Sequence, residues 1–322
     1  MKRLAAWAGV LVSGVFVWLA VRHVDFHRVA TALHDASYWP LAPATVVLAA
    51  AVWLRAVRWR ALFDPRTRPP LAPVVSAMLI GQLFNAILPA RAGEAARVVA
   101  LWREAGTSRG EALATAVAER VYDVFALLVL LFAAAPFLPR VSWLPAAAVV
   151  AAALALGIVA AVVVLLRWQE RPLVWLLAPP VRRGWLSAET AARAAGNVVR
   201  GLASFRHPGI ALRAFSLTVV SWLGIALSSW FLLYGFGFGG GFGAGLLVTI
   251  ATSLVLVLPA APGGVGQFEA ATIVAMSVFG VDRSRALSYG VVLHALNLVP
   301  YVAVGYLALH RHAQVVRRRR LA

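Results

Sequence analysis

The stretch Asn85-Ala-Ile-Leu-Pro-Ala-Arg-Ala-Gly-Glu-Ala-Ala-Arg97 decides the fold. An apolar segment runs straight into it. Within it lie a helix-breaking proline, Pro89, a turn glycine, Gly93, and four polar or charged side chains: Asn85, Arg91, Glu94 and Arg97. A simple spanning helix has no use for such a break. Backbone that leaves helical form at membrane depth survives only where protein or water covers it. The stretch therefore reads as the tip of a re-entrant hairpin lining a polar cavity.

The surrounding composition agrees. The chain has 322 residues, 62% of them hydrophobic, with mean hydropathy +0.83. Several apolar stretches reach spanning length, so the class is a polytopic, all-α membrane protein. With no cysteine, disulfides, thiolate catalysis and Cys-based metal sites are excluded. The formal net charge is +18, and Lys2 is the only lysine, so the surplus is arginine. These arginines cluster in loops beside apolar segments, which points to anionic lipid and a membrane orientation signal rather than to nucleic acid. Met1-Lys2-Arg3 and the apolar run to Val21 resemble a signal peptide without a convincing small-residue cleavage site, so we expect an uncleaved first helix.

Apolar segments fall near 4–21, 41–57, 74–90, 111–135, 144–166, 214–234, 244–259 and 285–309. The 55–73 loop, the 167–213 loop and the Arg317–Arg320 tail are arginine-rich and should be cytoplasmic. The 22–40 loop is charge-balanced, 136–143 holds only Arg140, and 235–243 has no charge, so these should be outside. This pattern forces 74–108 to enter and leave on the cytoplasmic face, and 244–282 to do so on the external face. The expected fold is six full transmembrane helices plus two opposed re-entrant hairpins, with both termini cytoplasmic in the inner (plasma) membrane. The 1–322 chain reads as one membrane domain. The 167–213 loop, with its helical stretch near 187–204, reads as a cytoplasmic amphipathic segment on anionic lipid.

Opposed hairpins suggest an internal inverted repeat, 41–135 against 214–309. Leu88-Pro89-Ala90 matches Leu258-Pro259-Ala260, and Gly93 matches Gly263, at a common offset. Farther on, Arg109, Ala112, Leu113 and Val117 match Arg283, Ala286, Leu287 and Val291; the extra residues fall in the Gly263-Gly264-Val265-Gly266 turn. On this register Arg120 sits over His294 and Asp123 over Asn297. Inverted repeats with broken helices at the midplane are the architecture of many secondary transporters.

The second chemical constellation is Glu119-Arg120-Val121-Tyr122-Asp123. Glu119 and Asp123 share a helix face, and Arg120 can reach Asp123. Each central charge costs about 2.5–3.5 kcal/mol on insertion scales, so three facing lipid would cost on the order of 8–10 kcal/mol if additive. They must face protein or water, either as a packing network or as a functional site. Arg91, Glu94 and Arg97 suit a phosphate, because arginine forks match its geometry and a helix beginning near Gly93 would point amides at it. The competing reading is an interfacial helix with snorkelling arginines. Glu269, after the second tip, has no sequence neighbour of opposite charge; it can pair across the repeat with Arg91 or Arg120, or titrate as a coupling carboxylate. His294 and Asn297 share a face of the last span. Arg55, Arg58 and Trp59 read chiefly as an interfacial anchor. No metal site, cofactor site, catalytic triad or P-loop is legible.

Arg58-Trp59, Asn85…Leu88-Pro89…Arg91…Gly93-Glu94…Arg97, Glu119-Arg120…Asp123 and Pro262-Gly263-Gly264-Val265-Gly266…Glu269 occur in an order that resembles the flippase-like membrane domain of lysylphosphatidylglycerol synthases, the multiple peptide resistance factors, and its stand-alone relatives. The resemblance implies movement of lipids between leaflets, and for some relatives a link to lipid-linked sugars. The synthases' soluble aminoacyl-transferase domain has no counterpart here, so lipid synthesis is not carried over. The expectation is a translocase, not an enzyme, for an anionic polar lipid. Its headgroup would be bound by Asn85, Arg91, Arg97 and Arg120, with Glu94, Glu119, Asp123 and Glu269 balancing charge or carrying a proton. Pro89, Gly93, Pro259, Gly263, Gly264 and Gly266 would form the tips. Arg58, His294 and Asn297 are secondary candidates. The rivals are a membrane glycosyltransferase or its accessory subunit, and a scaffold for a partner lipid-modifying enzyme. Self-association or such a partner stays open.

Overall fold

A computed structural model describes residues 14–22, 24–88, 92–139, 144–255 and 262–321. Among these residues the regular structure is helical throughout, with no strand. A short helix α1 (14–21) leads to α2 (Phe26–Asp35), α3 (Leu41–Ala61), α4 (Leu71–Ile87), α5 (Gly93–Ala105) and α6 (Arg109–Ala134). Then come α7 (Leu144–Trp168), α8 (Arg171–Arg182), α9 (Ala188–Gly201), α10 (Pro208–Gly235), α11 (Gly241–Val255), α12 (Gln267–Ser277) and α13 (Arg283–Leu321).

Ala, Leu and Val fill these segments, and punctuation sets their ends. Gly106, at φ 70°, closes α5 in the left-handed conformation glycine accepts most easily. Two residues later Ser108 caps α6 by accepting from the Glu111 amide. Among the described residues four helices are long and apolar enough to cross a membrane: Leu41–Ala61, Arg109–Phe137, Pro208–Gly235 and Arg283–Val316. A fifth is obtained if α7 and α8, which meet at a bend of 96°, count as one span. The bend turns at Gln169, a non-glycine residue at φ 56°. Of the six spans expected, the first falls largely on residues outside those described.

Two stretches repeat one pattern: a long helix, two short ones, then a long helix. α3–α4–α5–α6 is the first and α10–α11–α12–α13 the second. At 1.5 Å per residue α4 is about 25 Å long and the other three short helices are shorter, against about 30 Å of hydrocarbon. α4 and α5 fold back on each other. A Cβ at Gly81 would lie 3.0 Å from the Arg97 Cβ, and one at Gly93 would overlap the Gly81 carbonyl oxygen and the Asn85 side chain. Pairing of 81 with 97 and 85 with 93 makes the helices antiparallel. Small residues let helix backbones approach where lipid supplies no hydrophobic drive, and Gly81 and Gly93 act in that way.

The two stretches interlock. α3 lies antiparallel to α10, where Ser228 Oγ donates to the Ala44 carbonyl at 2.9 Å and Gly224 leaves room for Ala51. α13 lies antiparallel to α4, with Gly305 against Leu79 and Leu83. The second break meets the first: a Cβ on Gly263 would lie 3.6 Å from the Ala86 carbonyl oxygen.

The helical stretch expected on the lipid surface, now α9, instead lays its apolar face on α6. Ala191, Ala195 and Val199 are buried, and Gly201 abuts the Ala114 backbone. The exposed apolar side chains of α8, Val174, Trp175 and Leu176, leave that helix, not α9, with an uncovered apolar face.

Candidate functional site

Three helices bring charge to one place and a fourth lines it: α3 supplies Arg55 and Arg58, α5 supplies Glu94 and Arg97, α6 supplies Glu119, Arg120 and Asp123, and α10 supplies the neutral partners Thr218 and Trp222. Arg58 is 1% exposed. Its guanidinium donates to Asp123 Oδ1 at 2.5 Å, to Glu119 Oε1 at 2.9 Å and to Thr218 Oγ1 at 3.0 Å. Glu119 also accepts from Arg97 at 2.6 Å. Arg97 pairs in turn with Glu94 at 2.8 Å, and Glu94 pairs with Arg120. At the other end Arg55 approaches Asp123 at 3.9 Å, and Trp222 Nε1 donates to the same Asp123 oxygen at 3.2 Å.

The charges therefore alternate as Arg55, Asp123, Arg58, Glu119, Arg97, Glu94, Arg120. Such a chain has an arginine at each end and one more cation than anion. A contact of 3.9 Å between Arg120 and Asp123 bends it towards closure. The inner arginines are held on both sides. The outer ones are held less closely: Arg55 meets its carboxylate, Asp123, only at 3.9 Å, and Arg120, with a side chain 49% exposed, has its second carboxylate, again Asp123, at 3.9 Å. Two indoles add cation–π support, with Arg55 4.2 Å from the Trp222 ring centre and Arg97 4.6 Å from that of Trp59.

This geometry corrects several expectations. Arg58 and Trp59 are not an interfacial anchor; both are buried, and Trp59 Nε1 donates to Thr115 Oγ1 at 3.0 Å. Arg97 is not a snorkelling surface residue but an internal counter-ion. Asn85, expected at a headgroup, uses its Oδ1 to accept the Gly93 amide at 2.9 Å, capping α5 across the hairpin. Glu119, Asp123 and Arg120 do meet residues of α5 and α3, as the cost of exposing them to lipid required. Arg91, Pro89 and Pro259 lie outside the described residues. Arg55 was undervalued by the sequence reading. Two arginines three apart, Arg55 and Arg58, at the end of an apolar span were the available signal.

A second polar site lies at the other break. Gly263, Gly264 and Gly266 adopt φ of 70°, 75° and 84°, values that side chains disfavour. Glu269 accepts the Gly266 amide at 2.7 Å, tying the turn to the start of α12. Its other oxygen lies 2.6 Å from His294 Nδ1, while His294 Nε2 lies 2.9 Å from the Gly263 carbonyl oxygen. Phe268 stacks on the imidazole at 4.5 Å between ring centres. Glu269 thus pairs with His294 rather than with Arg120. Asn297 bonds its own helix, Nδ2 donating to the Leu293 carbonyl at 2.8 Å.

The sites correspond. A carboxylate near the start of the second short helix meets a base on the next long helix: Glu94 with Arg120, and Glu269 with His294. No group of three or more metal-ligating side chains occurs among the described residues.

Spanning helices around a buried, cation-rich cluster define a multi-pass helical membrane protein. Residues 6–305 match the family described as lysylphosphatidylglycerol synthase TM region, and the chain belongs to that family. It is also similar to the protein named Glycosyltransferase AglD of Haloferax volcanii, 27% identical over 127 residues, or 39% of this chain and 20% of that protein. No solved structure matches.

Proposed function

We propose that the protein is a translocase that carries a lipid with an anionic headgroup between leaflets. The observation that carries this reading is the surplus cation of the buried cluster. A closed salt-bridge network has no need of an extra arginine, whereas a phosphate would complete the alternation at Arg55 or Arg120. Buried charge is costly unless paired, so the surplus favours an anionic ligand. Arg91 would join the ligand shell from the first break.

The helix directions support two opposed re-entrant hairpins. α4 returns antiparallel along α5 and α11 lies against α10, so each pair of short helices can enter from one face and leave by it. With the arginine-rich loops inside, 74–108 opens to the cytoplasm, 244–282 opens outside, and both termini are cytoplasmic in the plasma membrane. The breaks meet at Ala86 and Gly263, where alternate opening would pass a headgroup across.

Glu269–His294 is the proton carrier in this reading. Both imidazole nitrogens face acceptors, a carboxylate and a carbonyl. Satisfying both contacts takes either an imidazolium beside a carboxylate or a neutral imidazole beside a carboxylic acid.

The test is leaflet exchange in proteoliposomes of headgroup-labelled phosphatidylglycerol beside phosphatidylcholine. Arg120→Gln should slow phosphatidylglycerol exchange about tenfold, equivalent to about 1.4 kcal/mol on the barrier, with folding retained. Equal exchange of both lipids, or no effect of the substitution, would falsify the reading.

A second reading has a specific observation behind it, the similarity to a protein named as a glycosyltransferase. In that case the anionic lipid is a polyprenyl phosphate carrying a sugar, and the membrane domain presents it for transfer. Sugar transfer by the purified chain from such a lipid to an acceptor hydroxyl, releasing the free polyprenyl phosphate, would favour this reading; exchange without transfer would favour the first.

A further inference from the structure

Between α3, α4 and α13 lies a crevice of about 270 Å³. Leu48, Val52, Met78, Leu79, Pro300 and Val304 line it. Thr45, at one side, donates its hydroxyl back to the Leu41 carbonyl at 2.7 Å, so the wall stays apolar. Trp53, also in the wall, is 53% exposed, so the crevice opens to the surface that lipid covers.

One residue joins this apolar space to the charged cluster. Tyr301 lines the crevice, with its hydroxyl near the Gln82 side chain. The same phenol lies within electrostatic reach of Arg55, the loosely held end of the arginine–carboxylate chain. Arg55 also sits on α3 between Val52 and Ala56, both of which line the crevice. Apolar wall, phenol and incompletely paired guanidinium thus follow one another, as do chain, ester and phosphate in an amphiphile.

We infer that this crevice holds the hydrocarbon chain of an alkyl or prenyl phosphate whose phosphate is taken by Arg55. The inference rests on the translocase reading and names the side from which the lipid is received. The crevice is large enough for a stretch of hydrocarbon chain but not for a whole prenyl chain. The rest of the chain stays in the bilayer. Pure apolar burial gives no preference within a bilayer, because lipid tails are as apolar as leucine. Selectivity must come from the phosphate end, at Arg55 and Tyr301.

The test uses the full chain in detergent and dodecyl phosphate with a diazirine at its chain terminus, beside the matching dodecanol. Photolabelled peptides are mapped by mass spectrometry. The expected label falls on 45–56, 75–79 and 300–304, with the phosphate labelling about tenfold more than the alcohol. Ala49→Trp, placed at the exposed mouth, should abolish it, and Arg55→Gln should bring the phosphate down to the level of the alcohol. Tyr301→Phe keeps the wall and should weaken the phosphate preference alone, which covers the case in which Ala49→Trp misfolds. Label outside these segments, or equal labelling by phosphate and alcohol that Arg55→Gln does not change, overturns the inference. Binding is read here without transport. Crevice labelling in a protein that exchanges no lipid would sink the translocase and leave this site standing; exchange without crevice labelling would do the reverse.

Discussion

At the residue scale, the arginines of the cluster divide into two kinds, and substitutions should separate them. Arg58 is enclosed by Glu119, Asp123 and Thr218. Removing it leaves two buried carboxylates short of a partner, and breaking a buried pair of this kind costs about 3–5 kcal/mol. Arg58→Met should therefore lower the melting temperature in detergent sharply, with activity lost only through folding. Arg120 is half-exposed at the end of the chain, so Arg120→Gln should lose transport while the melting temperature holds. If the two substitutions behave alike, the division fails. Glu269→Gln replaces a carboxylate that faces His294 with an amide that does not titrate. Lipid binding should persist, and the pH dependence of leaflet exchange should flatten. An unchanged pH profile would place the coupling group elsewhere.

At the element scale, the α4–α5 pair depends on two glycines. Gly81 and Gly93 lie where a side chain would meet the opposing helix, and at Gly93 even a Cβ would overlap the Gly81 carbonyl and Asn85. Overpacking of this kind costs about 1–3 kcal/mol. Gly93→Ala should therefore destabilise the protein by that order, read in thermal unfolding, and release Asn85 from its cap. Gly106 has nothing near its Cβ position, although its φ is positive. Gly106→Asn, a residue that tolerates this backbone, should cost much less. Reversal of that order would mean that the glycines matter for chain flexibility rather than for close approach.

At the scale of the whole molecule, the proposed topology makes opposite demands on two loops. The chain has no cysteine, so single cysteines can be introduced without background. A cysteine at Ser108, after the first pair of short helices, should react only from the cytoplasmic side. One at Gly240, before the second pair, should react with an impermeant reagent from outside. Labelling of position 108 from outside, or of position 240 only after the membrane is opened, would remove the opposed hairpins and with them the alternating route. Both polar sites take a carboxylate from the helix that follows a break, Glu94 in α5 and Glu269 in α12. A spanning helix satisfies its own backbone, whereas a break exposes amides and carbonyls that ligands or side chains can use.

Much of this was legible in the chain itself. Apolar runs and their lengths defined a helical membrane protein, Pro and Gly marked both breaks, and the cost of intramembrane charge required Glu119, Arg120 and Asp123 to face inward. Those inferences rest on local pattern and on the solvent, so one dimension suffices. Partner choice does not. Arg58 meets Asp123 across 65 positions, and His312 meets Glu104 across 208. Nothing in the spacing of these residues announces the meeting, because it follows from which helix faces pack. Arg58 reads as a surface anchor because it lies at the end of an apolar run, and Arg97 as a headgroup ligand beside a helix break. They are core residues because α3, α5 and α6 converge there. Glu269 found His294 rather than an arginine because α12 and α13 are neighbours, and the positive-φ glycines turn the chain so that both imidazole nitrogens meet acceptors. Sequence determined which charges needed partners within the membrane; tertiary packing decided which carboxylates each arginine met, closely at Arg58 and Arg97 and more distantly at Arg55.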